Sequence, residues 1–326
     1  MAPKTLLQKP ILIVQHAPHE HPAALKRALE SQGLSTILVN IFENQLLPKS
    51  NDISGLISLG GPMGANDEID YPWLLDEIAL MRACFDKQIP TVGICLGGQM
   101  LARALGGKVS QNPHPEIGWF ELQVKPDALK DPLFSATGAK PHFYQWHYDT
   151  FFPPHGAEIL AESVLCERQA FKINDTTYGF QFHPEADHQL VDEWLNIEGT
   201  DEEILLARIA HHQDCVQLPH EHRTKAKNGE NFSLNFVAAI GQLFSKEKYE
   251  DKNEKIKTEV ETFMNDKSFV LLKIKASDEK IIPLAGTIEK MSRISQGDFV
   301  FFKERSTLVW PIRMDHVLSI ELLKEY

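Results

Sequence analysis

The stretch that decides the fold reads Pro90-Thr91-Val92-Gly93-Ile94-Cys95-Leu96-Gly97, and a helix-like segment follows it at residues 99–105. The apolar residues before Gly93 predict a buried strand, and the spacing after Gly97 predicts an amphipathic helix. The turn between them has to lift Cys95 clear of the sheet. Glycine on both sides permits this, because a larger side chain would meet the neighbouring strand or helix. At a helix N-terminus the thiolate is favoured over the thiol, so Cys95 is a candidate nucleophile.

Two more apolar stretches are followed by residues that could take part in catalysis. Upstream, ISLGGPMG at residues 57–64 closes a run with the turn Gly60-Gly61, and downstream YGFQFHPE at residues 178–185 ends in His183 and Glu185. By itself the cysteine stretch also fits a buried structural cysteine. The three stretches together favour a site, because the carboxyl ends of parallel strands meet at one edge of a sheet.

In combination these stretches resemble the signatures of the class I (triad) glutamine amidotransferase domain. The resemblance is closest to free-standing proteins similar to the amidotransferase domain of guanosine monophosphate synthetase, and it covers residues 6–244 in order and spacing. It implies an α/β fold of flavodoxin-like type with a mostly parallel central sheet. It also implies a catalytic triad of Cys95, His183 and Glu185.

The implied reaction is hydrolysis of a γ-carboxamide through a γ-glutamyl thioester on Cys95. His183 would protonate the departing ammonia, and Glu185 would hold the imidazole in the required tautomer. Backbone N–H groups must stabilise the oxyanion. Leu96 would supply one donor, and the Gly60-Gly61 turn is similar to the family's second donor.

The resemblance also implies how glutamine is bound. Gln99 would contact it, and the backbone of Trp146, His147 and Tyr148 would lie against its amino-acid end. One position departs from the family pattern. Synthetase amidotransferase domains usually have glycine where this chain has Tyr148, so we expect the ring to crowd or reshape the pocket and strict glutamine specificity to be relaxed.

Length and charge indicate two domains. The chain has 326 residues, 43% of them hydrophobic, and a net charge of −12 that belongs entirely to the first 245 residues. We predict the amidotransferase-like domain at residues 1–245, a charged helical connector at 246–267, and a small SH3-like or Sm-like β-barrel at 268–326. The acidic balance argues against nucleic acid as a partner of the main domain, whereas the balanced charge of the C-terminal domain leaves its ligand open.

The local sequence patterns predict the helices and strands and the cellular compartment of the protein. The four cysteines lack C-x-x-C spacing and no apolar run reaches 18 residues, so we expect a soluble, cytoplasmic protein without disulfides. Predicted strands are residues 11–14, 35–41, 52–60, 91–94, 119–124, 157–165, 169–173 and 177–182, the last four forming an antiparallel extension. Predicted helices are residues 22–32, 72–87, 97–105, 186–197, 201–212 and 231–244.

Two groups of histidines lie outside the proposed triad. His16, His19 and His21 follow the first strand, where a polar loop is the favoured interpretation. Metal-ligand types also occur further on, at His211, His212, Asp214, Cys215, His220 and His222. Their spacing matches no established zinc pattern, so a solvated surface loop is favoured over a zinc site. We expect neither a metal nor a cofactor.

Three functions remain open at this stage. The first is a glutaminase that releases ammonia or passes it to a separate acceptor enzyme, since the chain has no phosphate-binding loop and no large synthetase domain of its own. The second is a γ-glutamyl peptidase or hydrolase that acts on glutathione-like compounds with the same triad. The third is a binding or regulatory protein whose C-terminal domain carries the function.

Overall fold

The computed structural model describes residues 9–211 and 214–245, with residues 227–228 as backbone only, and the backbone of five strands between residues 269 and 322. The chain divides into two compact units, Met1–Phe244 and Ser245–Tyr326. No helix in the described ranges combines the length and the apolar character needed to span a membrane.

The first unit alternates strands and helices before it changes to consecutive strands and ends in helices. In chain order its elements are β1 (Ile11–Gln15), α1 (Ala23–Ser31), β2 (Thr36–Asn40), β3 (Gly55–Ser58), α2 (Trp73–Asp86), β4 (Thr91–Ile94), α3 (Leu96–Ala104), β5 (Lys108–Glu121), β6 (Gln123–Val124), β7 (His142–Phe152), β8 (Glu158–Glu162), β9 (Ala170–Asn174), β10 (Thr177–Phe180), α4 (His188–Leu195), α5 (Thr200–Ala210) and α6 (Pro219–Phe244).

An eight-stranded sheet in the order β2-β1-β3-β4-β10-β9-β8-β6 forms the centre of this unit. The first five strands pair in parallel, and β9, β8 and β6 extend the sheet in antiparallel fashion. The mostly parallel sheet predicted from the sequence is therefore confirmed. Because the parallel strands run in one direction, their carboxyl ends share one edge, where the elbow after β4 and the histidine after β10 meet.

Helices cover both faces of the sheet. Alternate residues of β1 point to opposite faces, so Ile11 and Ile13 pack with residues of α1 and α6, whereas Leu12 and Val14 pack with residues of α2 and α3. All four residues are fully buried. This explains the uninterrupted apolar run, since a strand covered on both faces has no solvent side.

The strand predicted at residues 119–124 is wrong in extent. The structure has a long strand β5 that pairs with β7 as a separate two-stranded ribbon, and only β6 joins the main sheet. Pro113 and Pro115 lie inside β5, at the place where its register with β7 shifts between Gln111 and Glu116. A two-stranded ribbon tolerates prolines that a central strand excludes, and for that reason the sequence pattern concealed the strand.

The surface loop predicted around residues 211–222 is also wrong in part. Helix α6 begins at Pro219, twelve residues before the start predicted from the apolar spacing. Cys215 and His222 are buried, and His222 bonds to the hydroxyl of Tyr144 and to the carbonyl of Gln217. Proline suits the first helical position, and the mainly polar sequence after it gave no helical apolar stripe.

The second unit is described by its strand backbones alone. Its strands are β11 (Phe269–Lys275), β12 (Ile281–Ile294), β13 (Gly297–Glu304), β14 (Val309–Arg313) and β15 (Val317–Leu322). They pair antiparallel in the order β14-β13-β12-β11-β15. All five strands lie within the range 268–326 predicted for the β-domain, and the barrel type stays a prediction. The predicted connector at 246–267 falls outside the described residues.

Candidate active site

A strained turn between β4 and α3 holds Cys95. Its φ of 49° and ψ of −106° place a non-glycine residue in a sparsely populated region of backbone space. A Cβ on Gly93 would overlap the carbonyl of Gly97, and a Cβ on Gly97 would overlap the carbonyl of Ser58. The glycine requirement predicted from the sequence is confirmed, because the obstructing atoms belong to the backbone and cannot turn aside.

The sulfur of Cys95 lies at the wall of a cavity. The residue is only 7% exposed. Its Sγ is 3.8 Å from the carbonyl oxygen of Trp146, and Nε2 of Gln181 donates a hydrogen bond to Sγ at 3.6 Å. Helix α3 begins immediately after it, at Leu96, so N–H groups that have no acceptor within the helix lie beside the sulfur.

His183 and Glu185 form a buried pair next to this sulfur. Nδ1 of His183 is 2.7 Å from Oε1 of Glu185, and both side chains are 2% exposed. Nε2 of His183 is buried and has no hydrogen-bond partner among the described residues. Burial alone would lower the pKa of His183, but Glu185 and Cys95 together raise it well above its usual 6.5. The ring nitrogen that Glu185 does not engage, Nε2, is therefore the one available to a reacting group at Cys95.

The Gly60-Gly61 turn is fixed by a second buried pair. Nδ1 of His16 donates to the carbonyl of Gly60 at 2.9 Å, and Nε2 lies 2.9 Å from Oε2 of Glu77. The polar loop predicted for His16 is thus wrong, because the residue is 1% exposed. A peptide group is planar and trans, so anchoring the Gly60 carbonyl turns the N–H of Gly61 to the opposite side. A Cβ on Gly61 would lie 2.7 Å from Cδ2 of Leu96, which places the turn against the start of α3.

One cavity of about 460 Å³ joins these parts. Of the residues predicted for the site, its lining includes Gly61, Cys95, Leu96, Gln99, Trp146, His147, Tyr148 and His183. Gly60 and Glu185 do not line it themselves, but each adjoins a residue of the site that does. The structure therefore brings together, at the edge where the parallel strands end, side chains that the sequence placed in separate stretches.

Tyr148, the departure from the family pattern, is tied to the cavity wall. Its hydroxyl donates to Oε1 of Glu203 on α5 at 3.0 Å, and the indole N–H of Trp146 donates to the same oxygen at 3.1 Å. The ring is 37% exposed. His147 turns the other way, with Nε2 3.1 Å from Oε2 of Glu116, so only its backbone can meet a ligand.

Three residues of the site escaped sequence reasoning: Glu20, Gln181 and Glu203. Glu20 lies between His19 and His21 in the segment after β1, and a carboxylate near the end of a parallel strand was the signal that could have revealed it. Its carboxyl group, His183 and Glu185 place ligand-type atoms within 4.8 Å of one another. Within the described residues no such cluster forms among the later histidines and Cys215, where a zinc site was the alternative.

Glu20 should make the protein less stable as the pH rises. Burial raises its pKa from 4.5 to about 7, although the neighbouring His183 opposes this shift. The folded state therefore binds the extra proton between pH 4.5 and 7, and stability falls as the pH rises through that interval. Glu20→Gln should be more stable than the parent at pH 8 by up to about 3 kcal/mol, with a smaller difference at pH 4.5. Urea unfolding at the two pH values measures this, and an equal difference at both would contradict it.

The parallel sheet, the glycine elbow and the convergence of cysteine, histidine and glutamate define a class I glutamine amidotransferase domain. Residues 21–197 match the family described as glutamine amidotransferase class-I. The chain belongs to this family.

Among its relatives is the glutamine amidotransferase-like protein YfeJ of Salmonella typhimurium, which is 30% identical over 55% of this chain and 77% of that protein. The chain is also similar to one of the subunits of the glutamine-hydrolyzing GMP synthase of Natronomonas pharaonis, with 32% identity over 50% of this chain and 80% of that relative. A solved glutamine amidotransferase from Methylobacillus flagellatus superposes with a TM-score of 0.67 at 32% identity, covering 73% of this chain and 94% of that one.

Proposed function

We propose that this protein hydrolyses a γ-glutamyl amide through a thioester on Cys95. The observation that carries the proposal is the unpartnered Nε2 of His183, buried beside the sulfur and backed by Glu185 on the opposite ring nitrogen. Burying a polar atom without a hydrogen-bond partner costs free energy, unless a substrate or a reacting group supplies the missing partner. A nucleophile, a base and an orienting carboxylate in this order are the parts that covalent acyl transfer requires.

In the first step the Cys95 thiolate attacks the amide carbon and the carbonyl oxygen becomes an oxyanion. The His183 imidazolium gives its Nε2 proton to the leaving nitrogen, the C–N bond breaks, and ammonia or an amine departs. In the second step water attacks the thioester while His183 takes a proton from it. The C–S bond then breaks, which releases glutamate and restores the thiolate and the imidazolium.

The oxyanion would be held by two backbone donors. One is the N–H of Leu96, which has no intrahelical acceptor because it opens α3. The other is the N–H of Gly61, directed by the hydrogen bond from His16 to the Gly60 carbonyl. Donors that are already oriented stabilise the developing charge without reorganisation, which is where most of the rate enhancement in such sites arises.

The glutamyl part of the substrate would lie between Gln99 and the strand residues Trp146, His147 and Tyr148. Nε2 of Gln99 is 3.4 Å from the carbonyl oxygen of Asp149, so this amide is held at the cavity wall and is nearly buried. The ammonium group of a substrate amino acid needs hydrogen-bond acceptors, and carbonyl groups of the β7 residues that line the cavity could supply them.

Two substrate classes fit this chemistry. Glutamine is supported by the relatives named as glutamine-hydrolyzing subunits, in which case ammonia would be released or passed to a separate acceptor enzyme. A larger γ-glutamyl compound is supported by the cavity, whose volume of about 460 Å³ falls in the range that holds drug-sized ligands. The anchoring of Tyr148 to α5 keeps this space open, because the ring is held at the wall.

The test is to trap the intermediate. Purified protein should be mixed with glutamine or γ-glutamyl compounds, quenched in acid within one turnover, and digested for mass spectrometry. We expect a γ-glutamyl adduct on the peptide that carries Cys95 and none on the peptides with Cys84, Cys166 or Cys215, which are buried away from the cavity. Turnover without any adduct on Cys95 would rule out the covalent mechanism.

A further inference from the structure

The cavity has an uneven charge. Its lining contains the carboxylates of Glu20, Asp149 and Glu203, and within the described chain it contains no lysine or arginine. The imidazolium of His183 also lines the cavity, but its charge is paired with Glu185. Asp149 lies close enough to Asp67 for the second carboxylate, in addition to burial, to raise its pKa. His19 adds no fixed positive charge, because burial lowers its pKa. The cavity therefore favours a ligand with a positive group and disfavours one with additional carboxylates.

Glu20 lies on the side where the leaving group must be. His183 has to reach the leaving nitrogen with Nε2, so the departing part of the substrate occupies the His183 side of the scissile bond. Oε2 of Glu20 would lie 2.5 Å from a Cβ placed on Gly60, and Cε1 of His183 would lie 2.8 Å from the same point. Among the described residues no side-chain hydrogen bond engages the Glu20 carboxylate, so it remains available to a ligand.

The same side of the cavity is aromatic and apolar. The ring of Trp194 meets that of His183 edge-on at 5.0 Å, and Ile197 continues the wall. Glu203 also lines the cavity and accepts hydrogen bonds from Trp146 and Tyr148, and the ring of Trp146 lies 6.3 Å from that of Trp194. An alkyl chain that ends in an ammonium group matches such a surface, because aromatic faces and carboxylates both attract cations. Nε2 of His183, which is buried without a hydrogen-bond partner among the described residues, indicates that a ligand group fills this space.

We propose that the substrate is a γ-glutamyl amide of an alkyl diamine, whose free ammonium group binds at Glu20 and Glu203. This rests on the hydrolytic function proposed above and specifies its leaving group. The reaction takes one water, breaks the amide C–N bond, and yields glutamate and the diamine with its nitrogen protonated. Glutathione-like compounds, whose leaving groups carry carboxylates, are poor substrates in this proposal.

The test compares three amides of equal length and different charge. They are γ-glutamyl-1,4-diaminobutane, which is cationic, γ-glutamyl-butylamine, which is neutral, and γ-glutamyl-4-aminobutanoate, which is anionic. We expect kcat/KM for the cationic amide to exceed that for the neutral one by at least about 10-fold, and that for the anionic one by more. Raising the salt concentration should reduce the ratio, because ionic screening weakens charge recognition at an open site.

Single substitutions test whether Glu20 and Glu203 cause the preference for the cationic amide. Glu20→Gln and Glu203→Gln should each lower the cationic-to-neutral ratio by about 3-fold or more, a readout that a general loss of activity would not move. Glu202→Gln is the matched control, since Glu202 is the exposed neighbour of Glu203 on α5 and does not line the cavity. Its ratio should stay at the parent value.

The outcomes separate the two proposals. Equal hydrolysis of the three amides, or a preference for the anionic one, would overturn the diamine proposal and leave the hydrolytic function standing. Failure to hydrolyse any of them or glutamine, with no adduct on Cys95, would overturn both.

Discussion

Cys95→Ala should abolish hydrolysis of every γ-glutamyl substrate, with a loss in kcat of at least about 10⁴-fold. The reason is chemical, since the other groups of the site have no nucleophile to activate once the sulfur is removed. Steady-state assays with glutamine and with the γ-glutamyl amides measure the loss. The fold should survive, because alanine fits the elbow as well as cysteine and no glycine is changed.

Cys84→Ala is the matched control. Cys84 is a buried cysteine on α2, and burial raises the pKa of its thiol to about 12, so it stays protonated and inert. Its replacement should leave kcat within about 2-fold of the parent while costing a small amount of stability through the lost packing. Parent-like activity of Cys95→Ala in a preparation free of contaminating hydrolase would contradict the mechanism.

Glu185→Gln should lower kcat by about 10³- to 10⁴-fold while KM changes little. The amide keeps the size of the carboxylate, but it can donate its own N–H to Nδ1 of His183 and so reverse the tautomer that the reaction needs. It also removes the charge that holds the pKa of His183 above its usual value. A smaller fraction of the imidazole would then be protonated and able to give a proton to the leaving nitrogen.

Glu193→Gln tests whether any histidine–carboxylate pair has this effect. Glu193 pairs with His21 at 2.8 Å on the surface, away from the sulfur, and its replacement should leave kcat unchanged. The pH profile provides a second check, because the activity remaining in Glu185→Gln should shift toward lower pH, where His183 is still protonated. A fall in kcat that merely followed a loss of folded protein in thermal unfolding would argue for a structural role instead.

The sequence was informative wherever chemistry depends on local backbone geometry. The glycines around Cys95 cannot be replaced, because backbone carbonyl groups occupy the space that a Cβ would need. A few consecutive residues are enough to reveal this requirement. The order of strands and helices gave the parallel sheet, and the parallel sheet predicted that the three chemical stretches would meet at one edge.

Contacts between residues that are far apart in the sequence were much harder to predict. From the sequence we predicted that His16 lies in a polar loop. In the fold it is buried between Gly60 and Glu77, which are 44 and 61 positions away in the chain. The same limit applies to Glu203, which reaches Tyr148 across 55 positions. Neither partner can be inferred from spacing, because helix and sheet periodicity describe a single element and not the neighbour against which it packs.

By itself the sequence predicted the class of fold and the elbow, because each depends on short-range sterics or on strand direction, while the resemblance to a family implied the roles of the cysteine, histidine and glutamate. The tertiary structure alone decided the shape and charge of the cavity. Its carboxylates at Glu20, Asp149 and Glu203 come from the loop after β1, from β7 and from α5, respectively. A local motif can specify a reaction, but the selection of a substrate depends on side chains that only the folded chain brings together.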